Sequence, residues 1–340
     1  MRGVLIAITT IALTAAGGVA NAGTAPARPV AASPDKIDWT TLHVQVILDH
    51  LGFGPGVLDG RMGQSLHAAL EGFQESRGLP ETGEIDRATL RALHRYRAWR
   101  PTRTLTLSRK ALAGPYVNPL PDDPKEQAKL QRLGYRSPME KLAEMFHTTP
   151  EVLLELNSPQ TMLTPGTKVV FPNALPTSRA YPQDLEPQWR DTLNMLNVEA
   201  DVPTADHIVV DKSDGVLRVL DKRDRLLAQF SATMGSEHDP LPIGRWTIKG
   251  ADYNPEFAYD PDLFWDADSS EGEAKLPPGP NGPVGVVWLD LSKEHYGIHG
   301  TPAPETIGRA ESHGCIRLTN WDAARLSLMV KPGTPAIFQP

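Results

Sequence analysis

The sequence predicts a multidomain chain: a mainly-β sandwich at the C-terminus, preceded by a small three-helix module and a small α+β module. Three observations carry this prediction. The chain has 340 residues, enough for two or three domains at about 100–200 residues each. Apolar residues recur at spacings of three and four between residues 39 and 96, whereas after residue 206 they fall in short runs separated by Gly, Pro and Asp, the patterns of helices and of short strands. The chain also contains 32 Pro and 28 Gly, which argues for many turns and against a pure helical bundle.

From the N-terminus, Arg2, the apolar stretch 4–13 and Ala20-Asn21-Ala22 read as a signal peptide over 1–22 with an A-x-A cleavage site. That predicts export to the periplasm or cell wall. Residues 23–37, rich in Ala, Pro and Thr, read as a flexible tether. The helical module spans 38–97, with apolar faces through Leu42, Val46 and Leu51, through Leu66, Leu70 and Phe73, and through Leu90 and Leu93; Asp86 is placed to cap its third helix. The second module, 102–173, reads as a strand at 104–107, helices at 138–146 and 150–157 each opened by Pro, and a strand at 168–171. Residues 174–205 form a connector with one helix at 189–196. The C-terminal domain, 206–340, has predicted strands at 207–210, 216–220, 226–232, 245–249, 284–289, 314–318 and 336–338. One helix, 320–329, has Asn320 as its expected N-cap. Residues 250–283 read as an irregular excursion whose aromatic residues Tyr253, Tyr259, Phe264 and Trp265 offer a surface for a substrate cleft, with Tyr253 and Trp265 as candidate contacts.

The chemistry centres on one stretch. Cys315 is the only cysteine, and a lone thiol in an exported chain cannot form an internal disulfide. If 312–318 is extended, His313, Cys315 and Arg317 project to one face and Ser312, Ile316 and Leu318 to the other. Neighbouring basic groups are expected to lower the thiol pKa from about 8.5 and activate it. A buried cysteine acting as a small hydrophobe is the competing reading; the Gly and polar neighbours favour a nucleophile. Gly314 leaves room for close backbone approach, and the Cys315 N–H is a natural oxyanion donor. His295 and His299 have a zinc-like spacing, but Gly297 and Gly300 disfavour a helix and the Glu of H-E-x-x-H is missing, so no metal is expected. No Walker A or G-x-S-x-G pattern occurs and no cofactor is expected. A net charge of −7 without a run of five Lys/Arg excludes a nucleic-acid footprint.

Ile298-His299-Gly300-Thr301 and Ser312-His313-Gly314-Cys315-Ile316-Arg317, supported by Met234-Gly235, by 242–246 and by Pro283-Val284-Gly285, resemble the signature of the L,D-transpeptidase (YkuD-like) catalytic domain. The resemblance implies a β-sandwich in which Cys315 attacks the peptidoglycan stem peptide at the bond between its third residue and the terminal D-Ala. It further implies His299 as general base with its ring oriented by the Gly300 carbonyl, and His313 at the substrate or oxyanion. Arg317 would hold a substrate carboxylate or brace the loop, with Ser312 and Gly314 lining the site. Transfer to an amine, on another stem peptide or on a wall protein, is the expected outcome. Hydrolysis by the same site, as in an L,D-carboxypeptidase, is the enzymatic alternative, and a wall-binding protein with a vestigial catalytic domain is the non-enzymatic one. Leu51-Gly52-Phe53, Leu58-Asp59-Gly60, Phe73-Gln74, Gly78-Leu79 and 86–93 resemble a peptidoglycan-binding domain. Leu142-Ala143, Phe146, Val152, Leu156-Asn157, Pro165-Gly166 and 169–172 resemble a degenerate LysM repeat. These imply peptidoglycan glycan and stem peptides as partners.

Overall fold

The computed structural model describes residues 36–236, 238–263, 272–309 and 314–340. The N-terminal module contains α1 (Trp39–Leu51), a two-residue strand β1 (Phe53–Gly54), α2 (Gln64–Ser76) and α3 (Arg87–Leu93). Asp38 caps α1 by accepting from the Thr41 N–H at 2.7 Å, and Asp86 caps α3 by accepting from the Thr89 N–H at 2.8 Å, each satisfying a helix-end donor. Leu48, Leu66, Leu70, Phe73 and Leu93 close a core between the helices. β1 was not legible in the pattern; it adds in parallel to an edge of the C-terminal sheet.

The second module has the order β2 (Thr102–Thr106), α4 (Pro124–Gln127), α5 (Pro138–Met145), α6 (Pro150–Leu156) and β3 (Lys168–Pro172). β2 and β3 pair antiparallel. Ser137 and Thr149 cap α5 and α6, and Pro138 and Pro150 occupy their first turns, where a missing N–H costs nothing. Phe146 stacks on Phe171 with ring centroids 4.1 Å apart, at the centre of a small core with Leu142, Leu153 and Val169.

The connector is not a free linker. Its helix α7 (Pro187–Met195) places Trp189 and Leu193 in the C-terminal core, both fully buried. The many prolines suggested a linker, but a tryptophan on an amphipathic turn has too much apolar surface to leave in water.

The C-terminal domain is built from β4 (His207–Asp211), β5 (Val216–Leu220), β6 (Leu226–Ser231), β7 (Thr233–Met234), β8 (Gly244–Tyr253), β9 (Phe257–Tyr259), β10 (Ala274–Leu276), β11 (Val287–Leu291), β12 (Gly297–His299), β13 (Ile316–Arg317), α8 (Asn320–Met329) and β14 (Pro335–Gln339). The strand order is β1-β6-β5-β4-β14-β8-β11-β12-β13-β7. β8 is the hinge of this order: residues 244–247 pair with β14, and residues 248–253 pair with β11. One continuous core draws on both halves, from Val210, Leu217 and Phe230 to Leu289, Ile298 and Ile316, with Trp321 of α8 among them.

Four expectations change. The excursion 250–283 is partly regular, because β8 runs on to Tyr253 and β9 pairs antiparallel with β10. β11 begins at Val287 rather than 284, since Gly285 takes a left-handed turn at φ 63°. The run 314–318 is not extended throughout, because Gly314 has φ 88° and only Ile316–Arg317 are strand. Thr319, not Asn320, caps α8: its Oγ1 accepts from the Asp322 N–H at 3.1 Å, leaving the Asn320 side chain for another task.

The three modules meet at buried charges. His147, after α5, approaches Asp49 of α1 at 3.0 Å and the Leu196 carbonyl at 2.7 Å. Arg325 of α8 donates to the Asp49 carbonyl at 2.6 Å, and the His147 ring stacks on Trp321. Burial opposes the Asp49 charge, yet His147 and Arg325 hold its carboxyl well below the usual range. Burial pushes neighbouring Asp322 up to about 6, against the pull of Arg325.

Candidate active site

Strand register assembles the site. In the ladder, Trp288 of β11 lies opposite His299 of β12, and His299 lies beside Arg317 of β13, so the three side chains share one face. The indole of Trp288 stacks on the His299 ring at 5.4 Å. His299 is 4% exposed. Its Nδ1 donates to the Gly300 carbonyl at 2.7 Å; a carbonyl can only accept, so the neutral ring carries its lone pair on Nε2. Burial pushes the His299 pKa down to about 4, against the pull of the Gly300 carbonyl and with Arg317 adding to the depression.

Cys315 lies one residue before β13 and is half-buried. Its Sγ sits 3.8 Å from the His295 carbonyl. Burial pushes the thiol pKa up; the Gly297 backbone N–H and the Arg317 charge pull the other way, and Asp239 adds to the rise. The thiol activation expected from basic neighbours is therefore outweighed by desolvation.

Gly314 is demanded twice over. Its left-handed φ disfavours any side chain, and a Cβ there would lie 2.7 Å from Cε1 of Tyr296. Tyr296 thus covers the backbone that presents Cys315, and burial, Cys315 and Asp239 raise its pKa. Gly300 is demanded by close approach, since a Cβ would lie 2.0 Å from Oδ1 of Asn320.

Of the residues singled out from the sequence, Cys315, His299, Gly300, Gly314 and Arg317 come together here. The ring of Tyr253, half-buried, stacks on Trp189 of α7 at 4.5 Å. Ser312, His313, Phe264 and Trp265 lie outside the described residues. Sequence reasoning missed Trp288, Tyr296, Asp239 and Asn320. Only the five-residue alternation around Trp288 carried a signal, and it read as ordinary strand. Among the described residues, no three His, Cys, Asp or Glu side chains converge as a metal site requires.

Cys315, one residue before β13, and His299 of β12, whose ring is oriented by the Gly300 carbonyl, make this a candidate cysteine–histidine site. Comparison with known proteins narrows it. Residues 205–338 match the family model of the L,D-transpeptidase catalytic domain, and residues 41–93 match the model described as "Putative peptidoglycan binding domain". "Putative L,D-transpeptidase YkuD" of Bacillus licheniformis is 52% identical over 63 residues, covering 18% of this chain and 38% of that protein. "Putative L,D-transpeptidase YqjB" of Bacillus subtilis is 26% identical over 145 residues, covering 41% of this chain and 74% of that protein. "Probable L,D-transpeptidase YbiS" of Escherichia coli is 43% identical over 65 residues, covering 19% of this chain and 21% of that protein. Among solved structures, "L,D-transpeptidase from Mycobacterium smegmatis" is similar at a TM-score of 0.32 and 23% identity, over 39% of this chain and 58% of that one. The chain spans 38% and 34% of the lengths of the two YkuD relatives.

Proposed function

We propose that the protein is a peptidoglycan L,D-transpeptidase with Cys315 as nucleophile and His299 as base. The observation that carries this reading is the 2.7 Å contact from His299 Nδ1 to the Gly300 carbonyl, within the segment matched to the transpeptidase domain. It leaves Nε2 as the proton acceptor. Cys315 Sγ forms a bond to the carbonyl carbon of the third stem-peptide residue while its proton passes to His299. The C–N bond to the terminal D-Ala then breaks, the proton goes to the leaving amine, and a thioester remains. An acceptor amine attacks the thioester, loses its proton to His299 and releases the thiol. The Cys315 N–H is the proposed oxyanion donor, and Arg317, which also tunes both reacting groups, is proposed to hold a substrate carboxylate. His313, Ser312 and Trp265 are proposed to contact the substrate.

The N-terminal module is proposed to hold the enzyme on the wall after export by the signal peptide, with the LysM-like module as a glycan contact or spacer. Tethering raises the effective concentration of acceptor amines, which favours transfer to a stem peptide or an amine-bearing wall protein over hydrolysis. Incubating the full chain with a purified tetrapeptide muropeptide, followed by mass spectrometry, tests this. Cross-linked dimers with loss of D-Ala are expected. Tripeptide alone, even with excess amine, would replace the transpeptidase by a carboxypeptidase.

A further inference from the structure

Asn320 is fully buried at the start of α8, and its side-chain amide lies against the backbone of Pro280, Gly285, Val286 and Gly300. Oδ1 accepts from the Val286 N–H at 3.2 Å. Nδ2 donates to the Pro280 carbonyl at 3.2 Å and to Oε1 of Glu144 at 2.7 Å. A Cβ on Gly285 or on Gly300 would fall 1.9 or 2.0 Å from Oδ1, so the amide is wedged between those two peptides. Gly300 is the residue whose carbonyl fixes the His299 ring, and the His299 carbonyl in turn accepts from the Leu318 N–H at 2.8 Å, two residues before Asn320.

Glu144 belongs to α5 of the second module, not to the catalytic domain. It is 7% exposed, and its other oxygen accepts from the Tyr135 hydroxyl. Both oxygens are thus committed, one to its own module and one to Asn320. We infer that Glu144 and Asn320 are positioning residues for His299, through which the second module holds the catalytic loop in its working geometry. The inference rests on the proposed cysteine–histidine chemistry.

Energetics favour a single arrangement. Oδ1 and both Nδ2 hydrogens of Asn320 are hydrogen-bonded, and losing any of these partners would leave a buried polar group unsatisfied. The line from Tyr135 through Glu144 and Asn320 to the Gly300 peptide contains no solvent-exposed link that could relax cheaply. Burial pushes the Glu144 carboxyl up to about 7, with Glu140 adding to the rise and Tyr135, Asn320 and His147 opposing it. The second module can in this way set the ring orientation of the base, and a displacement of about 1 Å at a reacting group costs about 100-fold in rate.

The test uses the full chain. Asn320→Asp keeps the acceptor for Val286 but sets a carboxylate oxygen against Glu144. The double change Asn320→Asp with Glu144→Gln restores a donor–acceptor pair. Glu144→Leu removes the link from the other side, should Asn320→Asp fail to fold. Two readouts are taken: kcat and KM for acylation by a tetrapeptide, and the imidazole 15N spectrum, with the His299 signals assigned by their loss in His299→Gln. We expect Asn320→Asp and Glu144→Leu to lower kcat about 100-fold with KM little changed, and to turn the single Nδ1–H tautomer of His299 into a mixture. The double change should recover at least tenfold of the loss and the single tautomer. A folded Asn320→Asp or Glu144→Leu with the wild-type tautomer and kcat overturns the inference, and so does a double change without recovery. A wild-type enzyme that keeps one His299 tautomer yet forms no acyl-enzyme overturns the chemistry and leaves the positioning link standing on the spectrum.

Discussion

His299 makes acid stability a direct report on the site. Its pKa is depressed to about 4 from about 6.5 in an unfolded chain. Between those values the unfolded state binds a proton that the folded state refuses, so stability falls as pH drops through this window and is fully retained above it. At pH 4.5 the unfolded histidine is two units below its pKa, worth about 2.7 kcal/mol at 1.36 kcal/mol per unit, and slight protonation of the folded state returns a few tenths. The perturbation is His299→Gln, which keeps a polar side chain without the titration. Urea unfolding at pH 7.5 and 4.5 gives four free energies. The loss on going to pH 4.5 should be about 2.5 kcal/mol greater for wild type than for His299→Gln. Glu144 and Asp322, whose raised values favour the folded state as pH falls, are common to both proteins and cancel in that difference. A difference below about 0.5 kcal/mol, or one of opposite sign, would refute the claim that the base is held buried and neutral.

Three further outcomes follow from the packing. Gly314→Ala drives a Cβ to 2.7 Å from Tyr296 at a left-handed backbone position, so acylation of Cys315 should fall at least about tenfold, measured by stopped-flow with an activated acyl donor. Arg325→Met leaves Asp49 and Asp322 buried without their cation and should cost about 3–5 kcal/mol in urea unfolding at pH 7. Trp189→Ala should cost about 3–5 kcal/mol, whereas a connector that merely tethers the last domain would lose little.

The sequence pattern located β4, β5, β6, β8, β11 and β14, which have five or more residues each, as in β5, where Val216, Leu217, Val219 and Leu220 are buried. β1 and β7 have two residues each and β9, β10 and β12 three, too few for any period to register. Cys315, His299 and Gly300 were singled out because they lie within a short stretch of chain. Asn320 was misread as a cap because Thr319 and Asn320 are both good capping residues; only the reach of the Thr319 hydroxyl to Asp322 decides between them. Glu144, His147 and Asp49 carry no local signal of their roles. Their partners lie in other modules, and pairing across about 100 residues or more leaves no local pattern. The thiol activation was misjudged for a related reason: residue type shows which charges are near, but burial, which dominates here, is a property of the fold.

The central claim is that Cys315 is acylated by a stem peptide. Intact-mass measurement of the full chain mixed with a tetrapeptide donor tests it most directly, with Cys315→Ala alongside. An adduct equal to the donor less its terminal D-Ala is expected on the wild type and none on Cys315→Ala. The same adduct on Cys315→Ala, or a wild type that stays unmodified while D-Ala is released, would contradict it.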